Sequence, residues 1–330
     1  EAQKQAVIKA KKDGVSKEAN NLTSLTDAEI AAFNAAYAAA NTPQAKYALI
    51  RAEKQAMVGP AMTKRTAKQE QFESEMNALD SALAAAKTPE EKQAVIDNCI
   101  SKWKFLKEAK REGLEKAAGY YLAIKSLIDE RGYKAISLKD VDGMKKLLGF
   151  PPAPIFMLLA DEEGLCTIPE NDCLGNITQI MVKYLTGQCA PYLEFYEFFE
   201  DSVLAGVPDY VPAEIVDGEV TVMPAAFGEL SEGILNVSRV KGGELTMCRL
   251  TSCDGEYYMH MVKGNGKTPM KWEEAGWTQP APQLPGLQIE LDDVEQFAQN
   301  VMCQHYIISY GDNTGLIEDL CYILGIEVIR

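Results

Sequence analysis

Residues 244–263 read ELTMCRLTSCDGEYYMHMVK, two β-like runs separated by Asp254-Gly255. An Asp-Gly pair between strand-like runs favours a tight β-hairpin, because both residues accept the positive φ angles that such turns need. Three more turn sequences of this region contain glycine: residues 217–218, 241–243 and 264–266. We therefore predict hairpins in an antiparallel meander, part of a β-barrel-like or sandwich module, within a C-terminal β-rich domain at residues 201–330.

The segment before this domain alternates between helix-like and strand-like patterns. Apolar residues recur on one helical face over 174–185 and Gly187 follows, so a helix ending at Gly187 is predicted. Strongly apolar runs at 155–159 and 190–198 predict strands. The alternation favours a parallel α/β layer over residues 116–200, which we assign as the metal and substrate domain. Further helices are predicted at 120–130, 292–301 and 314–324, and further strands at 135–138, around His305 and at 327–329.

Residues 1–115 are rich in Ala, Lys, Glu and Gln, which favours a helical region. Related five-residue sequences recur at 4–8, 46–50 and 92–96. Thr42-Pro43 and Thr88-Pro89 each have the pattern of an N-cap residue followed by proline in the first helical turn. A repeat of 42–46 residues predicts stacked helical hairpins. The alternative is that Ala-rich helices resemble one another by composition alone.

Composition and charge exclude several classes of protein. The chain is 47% hydrophobic and 25% charged, which is typical of a globular protein. Its net charge of −15 is concentrated after residue 120 and disfavours binding to nucleic acid or anionic membranes. Neither a signal-peptide pattern nor a membrane-spanning apolar run is visible. Eight cysteines without a CxxC pair predict buried free thiols in a reducing cytoplasm rather than a zinc site.

Three polar residues occupy predicted strand ends: Glu170, Glu194 and His305. Two carboxylates and one imidazole are ligands that suit Mn²⁺ or Mg²⁺ better than a sulfur-seeking metal. Such an ion polarises a carbonyl and a neighbouring hydroxyl, while a carboxylate moves a proton between adjacent carbons. Because Glu170 and Glu194 belong to the α/β segment and His305 to the β-rich one, the site is expected at a domain junction.

Each of these residues also has a structural interpretation. A glutamate in an apolar strand is more often a rim residue than a ligand, and a single histidine in a strand is usually structural. His260 has no carboxylate motif beside it and is predicted to be structural. Asp172 is predicted to cap the following helix, with a role supporting the site as the alternative.

Residues 116–330 resemble the L-fucose isomerase and L-arabinose isomerase family, especially its fucose-isomerase-like members. The most specific similarity is His305-Tyr-Ile-Ile-Ser-Tyr-Gly-Asp312. The other similar segments are 121–125, 132–133, 170–172 with Gly175, 185–187, 245–250 and 324–328.

The resemblance implies a metal-dependent aldose–ketose isomerase acting through an enediol on a pentose or 6-deoxyhexose. It implies that Glu170 and Glu194 bind Mn²⁺ and shuttle protons, and that His305 completes the metal site. It further implies a homo-oligomer in which a neighbour's N-terminal domain closes the pocket. Because residues 1–115 do not resemble that domain, a second chain is a candidate source of it. The alternative function is a non-catalytic sugar-binding or scaffolding subunit whose helical repeats bind a partner.

Overall fold

The computed structural model describes residues 27–39, 74, 77–85, 88–145, 148–207, 210–224, 233–269 and 285–330. Its contacts divide the chain into two compact units, Glu1–Asp80 and Ser81–Arg330. The first two repeat sequences, 4–8 and 46–50, lie outside the described residues, and the predicted domain boundaries after residues 115 and 200 stay predictions. Among the described helices, none has the length and apolar character needed to cross a membrane.

The described elements alternate between helices and short strands before a β-rich second half. The α-helices are α1 Asp27–Ala39, α2 Pro89–Lys102, α3 Arg111–Arg131, α4 Ala153–Glu163, α5 Cys173–Thr186, α6 Val294–Asn300 and α7 Thr314–Leu324. The strands are β1 Lys104–Phe105, β2 Ala135–Ser137, β3 Cys166–Ile168, β4 Tyr192–Phe198, β5 Ser202–Gly206, β6 Thr221–Pro224, β7 Ile234–Asn236, β8 Gly243–Cys253, β9 Glu256–Lys267, β10 Gly286–Glu290, β11 His305–Tyr310 and β12 Glu327–Ile329. Residues 77–85 are also helical, Asp140–Lys145 forms a π-helix and Ala213–Ile215 a 3₁₀ helix. The protein is therefore of mixed α/β class.

One large sheet organises the second unit. Its seven strands follow the order β10-β5-β4-β11-β8-β9-β12, and β10 also pairs with β9. The first six strands pair antiparallel with their neighbours. Because β9 also pairs with β10, these six strands form a closed ring of pairings. Strand β12 pairs with β9 in parallel. Two smaller sheets contain β1-β6-β7 and the parallel pair β2-β3.

The alternation of side chains along the strands creates two cores. Leu193, Tyr306 and Ile308 belong to one buried cluster, whereas Tyr192 and Ile307 belong to the other. The second cluster includes residues of α5 and α7, so these helices cover that face of the sheet. Because successive residues of a strand point to opposite faces, positions two residues from Tyr192 and Ile307 lie on the helix-covered face.

Local patterns predicted many elements correctly. Helix α5 matches the helix predicted at 174–185, and Gly187 ends it with a φ of 76°. Thr88 caps α2 in a capping box with Glu91, as its Thr-Pro sequence predicted. Asp254-Gly255 connects β8 to β9 in the expected hairpin.

The strand predicted at 155–159 is wrong, because these residues lie in α4. The run is apolar on all sides and almost completely buried, so it has no helical periodicity that could distinguish it from a buried strand. Proline at the beginning of α4 favours the helix, since its fixed φ suits the first turn.

The parallel arrangement predicted for the strand at 190–198 is also wrong. This strand, β4, pairs antiparallel with both β5 and β11. Only residues 199–201 connect β4 to β5, and so short a connection permits an antiparallel pair alone. The parallel pairing found in residues 116–200 is that of β2 with β3.

Three of the predicted turns do not form hairpins. At 241–243 the flanking strands are not partners, because β7 pairs with β6 whereas β8 pairs with β9 and β11. Beside residues 217–218, Val216 bridges to Val240, while β6 pairs with β1 and β7, so no hairpin forms there. Residues 264–266 continue β9, where Asn265 and Gly266 pair with both β8 and β10. Their glycines allow the close approach of β10 rather than a chain reversal.

Candidate metal centre

Glu170 lies in a tight turn just after β3. Its φ of 68° and the φ of 57° at Asn171 place both residues in the left-handed region, which is uncommon for non-glycine residues and costly for glutamate. The turn is held by the backbone N–H of Glu170, which donates to Asp140 Oδ1 at 3.2 Å. Asp140 in turn forms a buried ion pair with Lys145, with 3.2 Å between Oδ2 and Nζ. The position of Glu170 therefore depends on a buried carboxylate from the π-helix.

Glu194 and His305 come together through strand register. They are directly opposite each other in the antiparallel pair of β4 with β11. Glu194 lies two residues after Tyr192, and His305 lies two residues before Ile307. Residues two apart in a strand share a face, so Glu194 and His305 lie on the helix-covered side of the sheet. The imidazole of His305 is about 5% exposed and Glu194 is partly buried. Both side chains therefore project from regular strands rather than from a free loop.

The three predicted residues converge on one point. His305 Nδ1 is 3.6 Å from Glu170 Oε2, and His305 Nε2 is 3.5 Å from Glu194 Oε2. One candidate ligand atom from each residue lies within 4.8 Å of the other two. Ions such as Mg²⁺ bind oxygen at about 2.0–2.1 Å, so opposite ligands of one ion are about 4.2 Å apart. The cluster thus fits a divalent ion after a small contraction.

Burial and neighbouring charges both act on the carboxyl of Glu170. Burial raises the pKa of Glu170; His305 opposes that rise, and the carboxylates of Asp140 and Glu194 add to it. The side chain remains about 45% exposed, so one face of it is open to a ligand from solvent. Gln304 Nε2 donates to Glu194 Oε1 at 2.5 Å and orients that carboxylate.

Asp172 caps α5 as predicted, and it also supports the site. Its Oδ1 accepts from the Gly175 N–H at 2.9 Å, and its carboxylate forms a two-point pair with the Arg249 guanidinium at 2.5 and 2.9 Å. Tyr192 donates its O–H to Asp172 Oδ2 at 2.7 Å. Burial alone would raise the pKa of Asp172, but the hydrogen bonds from Arg249, Gly175 and Tyr192 outweigh it and lower the pKa.

Sequence reasoning missed most of the residues around the cluster. Asp140, Lys145, Tyr192, Arg249 and Gln304 were not predicted to take part. Gln304, adjacent to His305, and Tyr192, two residues before Glu194, were within reach of a local sequence argument. Asp140, Lys145 and Arg249 come from distant positions and become visible as partners only through the fold.

Two other features lie apart from the cluster. His260 is fully buried, and its Nδ1 lies 2.5 Å from the Tyr306 hydroxyl. This agrees with its predicted structural role. A cavity of about 300 Å³ lies near the start of β3 and is lined by residues including Lys125, Glu163 and Lys183, but not by the three cluster residues.

Comparison with known proteins adds no relative. No protein family model matches the chain, and no curated protein matches it. The resemblance to the fucose and arabinose isomerases therefore stays a prediction. What the chain can do is argued below from the residues of the cluster.

Proposed function

We propose that this chain is a divalent-metal-dependent aldose–ketose isomerase that acts on a pentose or 6-deoxyhexose through an enediol. The observation that carries the proposal is the convergence of Glu170, Glu194 and His305 within 4.8 Å. Two carboxylates and one imidazole leave room in a coordination sphere for substrate oxygens, as a metal catalyst of this type requires. The sequence resemblance supports the same chemistry.

Glu170, Glu194 and His305 would hold the ion, for which their oxygen-rich donor set favours Mn²⁺ or Mg²⁺. When bound, such an ion supplies Lewis-acid polarisation of the sugar carbonyl and an adjacent hydroxyl. His305 contributes a buried and rigidly placed nitrogen. The half-exposed Glu170 provides the side of the cluster from which a sugar can approach.

Proton transfer is assigned to the two carboxylates. Glu170 takes the proton from the carbon beside the carbonyl and returns it to the neighbouring carbon, so the sugar is isomerised without gain or loss of atoms. Glu194 moves the proton of the neighbouring hydroxyl to the former carbonyl oxygen, which completes the exchange of carbonyl and hydroxyl groups.

The remaining features of the chain are consistent with this proposal. The closed ring of six antiparallel strands would form the barrel-like module that holds Glu194 and His305 opposite each other. All eight cysteines are free thiols, which suits a reducing cytoplasm, but only four of them are buried as predicted, and Cys173 and Cys253 are exposed. A small sugar is the proposed substrate, and a homo-oligomer or a second chain would cover the open side of the cluster.

The test is ketose formation from L-fucose, L-arabinose and D-arabinose with Mn²⁺ present. We expect Glu170→Gln and Glu194→Gln to lower kcat by about 10²–10⁴-fold, the usual contribution of acid–base groups. Glu219→Gln is the matched control, since Glu219 is an exposed carboxylate paired with Lys104 elsewhere. Turnover of Glu170→Gln at the wild-type rate contradicts the proposal. Metal and sugar binding without turnover by the wild type would instead support the non-catalytic sugar-binding alternative.

A further inference from the structure

Asp172 accepts more hydrogen bonds than a helix cap requires. Capping α5 needs only the bond from Gly175 N–H to one carboxylate oxygen. The same carboxylate also receives two bonds from Arg249 and one from the Tyr192 hydroxyl. The Arg249 and Asp172 side chains are only 6% and 17% exposed, so this two-point ion pair is shielded from water. The tyrosine hydroxyl is thus held by a fixed and charged acceptor.

The ring of Tyr192 carries this constraint to His305. The two rings are stacked with centroids 4.3 Å apart and planes inclined by 7°. Because the Tyr192 hydroxyl is bonded to Asp172, the side chain cannot swing away from the imidazole without breaking that bond. The imidazole lies flat against the tyrosine ring and directs its two nitrogens toward Glu170 and Glu194.

Gly175 shows how closely these side chains converge. A Cβ atom at this position would lie 2.7 Å from Arg249, 2.7 Å from Asp172 and 2.9 Å from Tyr192. All three contacts are closer than carbon atoms of real side chains tolerate. The three side chains can therefore meet above residue 175 because glycine has no side chain there.

We propose that Asp172, Arg249 and Tyr192 are positioning residues that fix the plane of the His305 imidazole, so that metal affinity depends on three side chains that are not ligands. This inference rests on the metal centre of the proposed function. Asp172 also follows Glu170 by two residues in the same turn, so the Arg249 pair restrains the backbone that carries a second ligand. A preorganised site loses less conformational entropy when it binds an ion, and partners beyond the ligands are worth about 10–100-fold in metal affinity.

The sharpest test removes one oxygen atom. Tyr192→Phe keeps an aromatic ring over His305 but loses the hydrogen bond to Asp172. Tyr310→Phe is the matched control, because Tyr310 lies in the same strand as His305 and donates its hydroxyl to the carbonyl of Lys241 at 2.6 Å, away from the cluster. Binding of Mn²⁺ without sugar is measured from the electron paramagnetic resonance signal of the free ion. We expect about tenfold weaker binding for Tyr192→Phe and unchanged binding for Tyr310→Phe.

Two further variants remove larger parts of the network. Tyr192→Leu loses the stacked ring and is expected to bind Mn²⁺ about 100-fold more weakly. Gly175→Ala places a methyl group among the three side chains and is expected to weaken binding by about tenfold or more while the ligands stay intact. Circular dichroism confirms that each variant is folded before its affinity is compared.

A second measurement needs no metal. The chain contains two histidines, so histidine-labelled protein gives two ring signals in the NMR spectrum, and His260→Gln assigns them. Loss of the tyrosine ring in Tyr192→Leu is expected to move the His305 signal and leave that of His260 in place. The shift of the His305 signal reports the stacked ring, and a role of Tyr192 in stability alone would leave the Mn²⁺ affinity of the folded protein unchanged.

The outcomes separate this inference from the proposed function. If Tyr192→Phe and Gly175→Ala bind Mn²⁺ as tightly as the wild type, the positioning role is wrong, whether or not the wild type isomerises sugars. If both variants weaken binding while no sugar is converted, the positioning role stands and the isomerase proposal fails. A wild-type chain that binds no divalent ion contradicts both.

Discussion

The two histidines of the chain show how surroundings decide the role of a residue. The Nδ1 atom of His305 lies 3.6 Å from a carboxylate oxygen of Glu170, and its Nε2 atom lies 3.5 Å from one of Glu194. His260 instead stacks on Phe297 with ring centroids 5.3 Å apart, and its Nε2 has no hydrogen-bond partner among the described residues. Burial lowers the pKa of His260 to about 4. One histidine therefore lies between two carboxylates, and the other is kept neutral by its core position.

The buried state of His260 predicts a pH-dependent stability. Its pKa is about 4 in the folded chain against an ordinary 6.5, so its contribution is complete above pH 6.5 and is lost as the pH falls toward 4. Between pH 7 and pH 5 the loss is about 2 kcal/mol. Urea unfolding at both pH values is compared for the wild type and His260→Gln, which cannot titrate. We expect the variant to lose about 2 kcal/mol less than the wild type, and an equal loss in both would contradict the assignment.

At the scale of elements, the sequence predicts best where the information is local. Thr88 with Glu91 fixes the beginning of α2, and Gly187 fixes the end of α5, because caps and left-handed residues act within one turn of chain. The run at 155–159 has no periodicity of its own, since it is buried on every side, and only the proline at the beginning of α4 and Gly164 at its end favour the helix. Glycines at 264 and 266 are typical of a turn. These residues instead lie within β9 and allow β10, which is distant in sequence, to pair beside them.

Gly264 tests how strictly β9 and β10 must approach each other. A Cβ atom there would lie 2.6 Å from Ile289 Cγ2 and 2.9 Å from the backbone oxygen of Glu290. The backbone cannot move aside cheaply, so we expect Gly264→Ala to lower the free energy of unfolding by about 1–3 kcal/mol. Gly113→Ala is the control, because Gly113 lies in α3 with nothing within 4 Å and alanine favours helix. Thermal unfolding that ranks Gly264→Ala at or above the wild type would refute this close contact.

At the scale of the whole molecule, the site joins segments that are far apart along the chain. Glu170, Glu194 and His305 could be selected from sequence, because carboxylate and imidazole side chains beside apolar runs are conspicuous. Their support could not be selected in this way. Arg249 lies 77 residues from Asp172, and Asp140 lies 30 residues from Glu170. The pairing of β8 with β11 brings Arg249 to the cluster, and the hydrogen bond from the turn after β3 brings Asp140 there.

A site assembled from distant segments exists only in the folded chain, so an ion that binds it must stabilise the fold. Free metal at 100 times the dissociation constant adds about 2.7 kcal/mol to the free energy of unfolding. For a unit of this size that corresponds to a rise in Tm of about 5–11 °C. We expect this rise on adding Mn²⁺, its reversal by a chelator, and its loss in Glu194→Gln. Glu219→Gln should keep the full rise, because Glu219 pairs with Lys104 outside the cluster. An equal rise in Glu194→Gln would place the bound ion elsewhere, since Glu194 holds one of the three converging ligand atoms.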